Sequence, residues 1–254
     1  MKLPSNMFWY RALAVLLLLL AWKLLSWHLQ NNLILPSPEN VMEDFVALLF
    51  THHFYHAFGF TLLRGFAGFV MAFILAVILG IPAGLHKGFN AFLGPFVVIT
   101  RSTPVIAFIL LALIWLGPGK VPVFIALLTM FPLLCTGIIT GIQQTDAELV
   151  GMAKVYRIGT VRMIRELYLP SLMPVLLNSI ANAIGFGWRA VIIGEVLSQP
   201  QWGMGTEMQV AQTYLLVSNV ICWTVVAVIT GYLFGGMMRT LTRHAIKWKG
   251  DDPA

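Results

Sequence analysis

Apolar residues fall in six long runs, at residues 8–28, 59–85, 91–116, 121–142, 172–197 and 215–238, with short polar stretches between them. A helix needs about 20 apolar residues to cross the hydrocarbon core of a bilayer. The pattern therefore predicts an all-α membrane protein with six transmembrane helices. Lys2 and Arg11 flank the first run as they would in a signal peptide, but Ser26-Trp27-His28-Leu29-Gln30 offers no small-x-small cleavage site. Residues 1–28 are thus expected to stay as an N-terminal transmembrane helix. Residues 29–58 form an extracytoplasmic loop, within which 40–50 read as a short amphipathic helix at the interface. Residues 59–242 form the main transmembrane domain and 243–254 a cytoplasmic tail. Residues 87–90 and the breaker Gly117-Pro118-Gly119 are tight turns. One connection stands apart: residues 143–171 are long, polar and basic.

Composition agrees. Apolar residues make up 59% of the chain and charged residues 10%, where soluble domains run near 45–50% and about 25%. That excludes a water-soluble domain, and the apolar content excludes disorder. The 16 basic and 10 acidic residues give a net charge of +6, and their positions set the orientation. With the N-terminus inside, the cytoplasmic side holds Lys2, Arg11, Lys87, Lys154, Arg157, Arg162, Arg165, Arg239, Arg243, Lys247 and Lys249, and the outer side holds Lys120. The positive-inside rule then places both termini in the cytoplasm. Cys135 and Cys222 both lie in apolar runs and make neither a disulfide framework nor a metal-ligand spacing.

The 143–171 connection has its own pattern. Thr145-Asp146-Ala147-Glu148 fits a capping box, with Thr145 as the N-cap and Glu148 reaching back. Leu149, Met152, Ala153 and Tyr156 then share a helical face. Arg157-Ile158-Gly159 interrupts it. A second short helix places Val161, Ile164 and Tyr168 opposite Arg162, Arg165 and Glu166, and Leu169-Pro170 is expected to end it. A mere linker needs neither apolar faces nor this length. An apolar face pointing away from the bilayer calls for a partner protein.

Residues 146–174, from Asp146-Ala147-Glu148 through Leu169-Pro170 to Pro174, resemble the Glu-Ala-Ala loop of the membrane subunits of type I binding-protein-dependent ABC importers. Leu35-Pro36-Ser37-Pro38, Arg101-Ser102-Thr103-Pro104 opening the third span, Glu195, and Trp202-Gly203-Met204-Gly205 are similar to further family motifs of the nitrate, sulfonate and taurine branch. Two positions depart. Gly151 stands where the family has the glutamate of Glu-Ala-Ala, followed by Met152 and Ala153, and Arg157 stands where it has the bend glycine. Gly159, two residues on, is expected to supply the left-handed conformation instead. The resemblance implies the type I importer permease fold and a coupling loop. In that loop Asp146, Glu148, Gly151, Met152, Ala153, Tyr156, Arg157, Gly159, Leu169 and Pro170 would dock on an ATPase.

The chemistry of an enzyme is missing from the sequence. Gly119-Lys120 is followed by Val121, so no phosphate-binding loop exists, and neither a Gly-x-Ser-x-Gly elbow nor a His-Glu-x-x-His motif occurs. His52, His53 and His56 lack a placed carboxylate or cysteine and make a weak metal signal. Charges inside spans are costly and point to function or to buried pairing. Lys23 and Arg64 read as interfacial anchors. Arg101, Arg189 and Glu195 read as lining a path for an anionic solute or as buried ion pairs, such as Arg101 with Glu195. The pairs Gly80/Gly84, Gly137/Gly141 and Gly231/Gly235 allow close helix approach within one subunit or between two. Pro82, Pro104 and Pro132 would kink their helices.

The resemblance implies a permease subunit in the cytoplasmic (inner) membrane, paired with a second, expected to be identical. ABC ATPase subunits would bind ATP and Mg, this chain holding no cofactor, and an extracytoplasmic binding protein would deliver the solute. That solute would be a small organic anion such as a sulfonate, or nitrate, or else a pyrimidine-type vitamin precursor. Membrane lipid is the only other partner expected, and nucleic acid is not one. An ion-coupled secondary transporter would need a membrane carboxylate, with only Glu195 and Glu207 available, and no inverted repeat is visible. A channel lined by Arg101 and Arg189 is a third class.

Overall fold

A computed structural model describes residues 5–245, and among them every regular element is helical. Lys2, Lys247, Lys249 and residues 246–254 of the expected tail lie outside the described residues, as do the side chains of Arg11, Lys154 and Arg243. Five helices are long and apolar enough to cross a membrane, and a bent pair supplies a sixth span.

The first helix, α1 (Ser5–Leu29), stands almost wholly exposed beside the rest. Three contacts tether its C-terminal end: Trp22 Nε1 donates to the Pro36 carbonyl (3.1 Å), Ser26 Oγ to that of Leu35 (3.0 Å), and Lys23 pairs with Glu39. Ser37 then caps α2 (Pro38–Leu49), its hydroxyl accepting from the Asn40 N–H, with Pro38 in the first turn, where a missing N–H costs nothing. One face of α2 packs through Val41 and Phe45 on the last helix, where Cys222 Sγ donates to the Val41 carbonyl.

Capped by Thr51, α3 (His52–Leu85) runs for 34 residues and begins two turns before the expected residue 59. The early start follows from packing. Phe54 and Ala57 are buried, and Phe54 stacks on Trp223 with centroids 5.5 Å apart. At 1.5 Å per residue the helix is about 51 Å long, well beyond the bilayer core of about 30 Å.

Packing in the centre relies on small residues. The stripe Gly68, Ala72, Ala76, Gly80 and Ala83 of α3 is buried against α6 (Val121–Gln143). A Cβ on Gly68 would lie 2.4 Å from the Ala126 Cβ, and one on Gly84 2.8 Å from Ile142. Gly68 faces Ala126, Gly80 faces Ile138 and Gly84 faces Ile142. Residue numbers rise together on both helices, so they run parallel. The chain must therefore cross back between them.

That crossing is the bent pair α4 (Lys87–Ser102) and α5 (Val105–Leu116), which meet at 96°. The third span is thus two helices rather than one. Pro104 disfavours helical backbone at the residue before it, and Thr103 is extended, with ψ 131°. Arg101-Ser102-Thr103-Pro104 divides the span instead of opening it.

On its other side α6 meets α9 (Leu169–Ser198). Gly141 faces Leu172, Gly137 faces Ser179 and Gly187 faces Met130, so these two run antiparallel. The glycines at 80, 84, 137 and 141 therefore serve packing inside the chain. Gly231 lies against Trp188, whereas Gly235 has open space beside it. After α9, α10 (Met204–Thr213) turns the chain, and α11 (Val217–Ala245) returns along α9. There Trp188 Nε1 donates to the Ala227 carbonyl (2.9 Å).

Candidate functional site

Functional side chains collect at three levels. At the α6 exit lies the projection formed by α7 (Ala147–Val155), α8 (Thr160–Met163) and a π-turn at Ile164–Tyr168. Asp146, not Thr145, caps α7. Its Oδ1 accepts from the Glu148 N–H (2.8 Å) and its carbonyl from the Val150 N–H (3.1 Å). The Thr145 Oγ1 is buried without a partner among the described residues. The capping box fails because Thr145 still belongs to the turn leaving α6, its own N–H bonded to the Ile142 carbonyl.

The bend is at Arg157 itself, with φ 51°, and Gly159 has no positive φ. The Ile158 N–H closes α7 on the Ala153 carbonyl (2.9 Å), the bond of a Schellman ending. The bend is not shifted, and an arginine bears the left-handed conformation that glycine adopts freely. Ala153 turns inward and is buried, while Leu149, Met152, Val155 and Tyr156 are exposed, Val155 at 81% and Tyr156 at 74%. Gly151 opens onto a cavity of about 330 Å³ lined in part by Gly84, Thr145 and Tyr168.

Leu169-Pro170 does not end the second helix. The Leu169 N–H reaches back to the Ile164 carbonyl, five residues away, and α9 continues from there. Pro170 has no N–H to give the Glu166 carbonyl and would crowd it in α geometry. The wider π-turn absorbs that conflict. Residues 161–198 consequently form one long helical rod, so the projection is mechanically continuous with a central span. On its exposed side Arg162 Nε bridges both Glu166 oxygens (2.9 and 3.0 Å).

Beside the break between α4 and α5 lies a groove of about 220 Å³, with Thr100, Arg101 and Thr103 on one wall and Ile125, Thr129 and Phe186 among the facing residues. Arg101 is exposed, as is Arg189, whose guanidinium lies 5.9 Å from the Phe186 ring centre. Among the described residues neither arginine has an acidic partner. Phe186 thus shares the groove lining with Arg101 and lies beside Arg189, while Glu195 pairs with neither arginine.

Glu195 is fully buried and paired with Arg64, Nη1 to Oε1 at 2.6 Å. Its other oxygen accepts from Thr61 Oγ1 (2.8 Å) and the Gly205 N–H (3.1 Å). Thr61 in turn accepts from the Met204 N–H (2.8 Å), and Arg64 also donates to the Trp202 carbonyl. The expected Arg101–Glu195 pair is therefore replaced by Arg64–Glu195, and Arg64 is no interfacial anchor. Thr61 and Arg64 share a helix face three residues apart, the one local hint of a polar site. The glycines of Trp202-Gly203-Met204-Gly205 have a steric role. A Cβ at 203 would sit 2.6 Å from the Glu195 carboxyl carbon, and one at 205 would sit 2.4 Å from the Ile192 carbonyl oxygen. This cluster locks the loop after α9 onto α3.

The histidines extend the same end. His53 Nε2 meets Glu207 at 2.8 Å, and the His52 and His56 rings lie 4.5 Å apart beside Trp202. Among the described residues no three His, Cys, Asp or Glu side chains converge as metal ligands.

The profile of a family described as "Binding-protein-dependent transport system inner membrane component" matches residues 68–246. The taurine transport system permease protein TauC of Escherichia coli (strain K12) is 24% identical over 244 residues, covering 92% of this chain and 87% of that protein. A candidate aliphatic sulfonates transport permease protein, SsuC of Bacillus subtilis (strain 168), is 24% identical over 218 residues, covering 85% of this chain and 78% of that one. The crystal structure of an amino acid ABC transporter with histidines superposes with a TM-score of 0.65 at 15% identity, over 80% of this chain and 96% of that chain. At that identity the superposition speaks to the fold.

Proposed function

The chain belongs to the family of binding-protein-dependent transport system inner membrane components, and from that premise we propose that it is one of two permease subunits forming the path of an ABC importer. It is a multi-pass protein of the cytoplasmic membrane and a component of a small-solute importer. The finer reading has both termini in the cytoplasm and a homodimer of permeases. ATP and Mg are bound by separate ATPase subunits, and an extracytoplasmic binding protein delivers the solute at the outer face. The chain supplies a two-state path and leaves ATP hydrolysis to its partner.

One observation carries the reading: the exposed apolar face of α7, with Leu149, Met152 and Tyr156, stands beyond the end of α6 uncovered by the other described residues. Such a face needs a protein partner. Closure of an ATPase pair would draw two such projections together. The continuous rod from 161 to 198 would carry that movement into the bundle as a rigid-body rocking of spans.

The relatives named for taurine and for aliphatic sulfonates support a small organic anion as solute, and the unpaired Arg101 and Arg189 suit that charge. Co-purification tests the assignment. The chain extracted in mild detergent should bring down its ATPase, and Met152→Asp with Tyr156→Asp should release it while leaving thermal stability unchanged. An ATPase that never co-purifies, together with transport that survives ATP depletion, would overturn the reading.

A further inference from the structure

The cavity at Gly151 lies on the far side of α7 from the exposed apolar face. Ala147, Val150 and Gly151 line it. Leu149, Met152 and Tyr156 fall on the opposite face, since each residue turns the helix by about 100°. Its other walls are the ends of α3 and α6, through Leu85 and Ile142, and Tyr168 of the π-turn. The space therefore separates α7 from the span ends behind it. Nothing lies within 4 Å of where a Cβ on Gly151 would sit, so the gap is open there.

One group in this gap lacks a structural use. Thr145 is 9% exposed, and its hydroxyl bonds to no described residue. A buried hydroxyl left unpaired costs stability and calls for a partner. Tyr168, the other hydroxyl-bearing residue of the lining, makes no side-chain hydrogen bond to a described residue either. Leu85, Ile142 and Val150 make much of the remaining wall apolar, and none of the described lining residues is charged. The Asp146 carboxylate already meets the start of α7, on the Glu148 N–H (2.8 Å). An ion entering this space would lose water and gain no counter-charge from these walls, which is costly.

We propose that this cavity is a binding site for a small uncharged molecule that pairs a carbonyl oxygen with an alkyl body. The Thr145 hydroxyl donates to the carbonyl, Tyr168 closes that polar end, and the alkyl part lies along Ile142 and Val150. Size agrees: at about 30 Å³ for each water-sized atom, a cavity of about 330 Å³ holds a molecule of up to roughly ten heavy atoms. A molecule seated there joins α7 to the ends of α3 and α6. It stiffens the projection against the bundle and so regulates coupling from the cytoplasmic side. That consequence rests on the importer reading; the binding itself does not.

The test measures binding of butanamide, sodium butanoate and butylammonium to the full chain in nanodiscs, without ATPase. Butanamide should bind saturably and slow hydrogen exchange in α7, and its two charged counterparts should compete poorly. Thr145→Val should lower butanamide affinity about fivefold, the loss of one neutral hydrogen bond. The same substitution should leave the melting temperature of the free chain unchanged or raised, because the hydroxyl holds nothing in the chain. Gly151→Leu should fill the space and abolish binding. A cavity that holds only water would show no saturable binding, and that result overturns the proposal. So would butanoate competing as well as butanamide, binding that survives Gly151→Leu, or a fall in melting temperature in Thr145→Val. In the complex with ATPase, butanamide should raise uptake per ATP hydrolysed. An unchanged ratio would overturn the regulatory role. Uptake independent of ATP would sink the importer reading and leave the binding result standing.

Discussion

Glu195 ties the loop after α9 to α3. Its carboxylate gathers Arg64, Thr61 and the Gly205 amide, and Gly203 is a glycine because nothing larger fits beside it. A buried pair broken on one side leaves an uncompensated charge, at a cost of about 3–5 kcal/mol. Glu195→Leu or Arg64→Leu alone should therefore destabilise this end of the bundle in a thermal-shift assay. The double substitution should recover part of the loss, and Gly203→Ala should damage stability without touching a charge. Additive single effects would argue against the pair. Glu195 was visible in the sequence as a costly charge, but its partner was not, because Arg64 is 131 residues away and periodicity carries no distance. Arg157 gives the opposite lesson. The sequence marks a bend and offers Gly159 for it, yet the bend falls where α7 runs out of bonds, and the arginine takes φ 51°. Relieving a left-handed non-glycine gains about 1 kcal/mol. Arg157→Gly should thus slow hydrogen exchange at the end of α7. Faster exchange would show that the guanidinium, not the backbone, holds the bend.

At the scale of elements, two prolines show what local rules leave open. Pro104 breaks its span outright, while Pro170 is absorbed by a π-turn and its helix goes on. The proline is the same; the difference lies in whether the flanking turn can widen. Pro170→Ala removes the reason for the extra residue. The turn should relax to α geometry and rotate the projection by about 100°, one residue's worth of helix. We expect ATPase to remain bound while transport per ATP falls severalfold, measured as the ratio of uptake to hydrolysis; an unchanged ratio would mean that the π-turn does not set the angle. The glycine spacings announced close packing, and the structure assigns it: α3 to α6, and α6 to α9. Which helix meets which was not legible, since a small face accepts any neighbour. The helix α1 is held differently. Lys23 donates to Glu39 and holds that carboxyl below its usual range. A lowered carboxyl pKa favours the tether above the ordinary carboxylate range and loses it as pH falls below about 4. Hydrogen exchange in the first turn of α2 should rise on acidification, and Lys23→Ala should raise it at neutral pH.

For the whole molecule, run lengths and charge positions were enough to count six spans, because a bilayer sets a length that soluble folds do not. They could not show that the third span is broken at Thr103-Pro104 into two helices meeting at 96°. Orientation is open to direct labelling. Cys135 and Cys222 are both buried, so an introduced cysteine reports cleanly. Tyr156→Cys should react only with reagent on the cytoplasmic side and Met42→Cys only from outside; the reverse would invert the assignment of every loop. The central claim is that the 143–171 projection takes its motion from a separate ATPase. Its most direct test is uptake of labelled butanesulfonate into liposomes carrying the permease and ATPase, with binding protein outside and ATP enclosed. The account predicts uptake that requires the enclosed ATP and is abolished by Met152→Asp with Tyr156→Asp. Uptake that continues without ATP, or that is indifferent to those two substitutions, would contradict it.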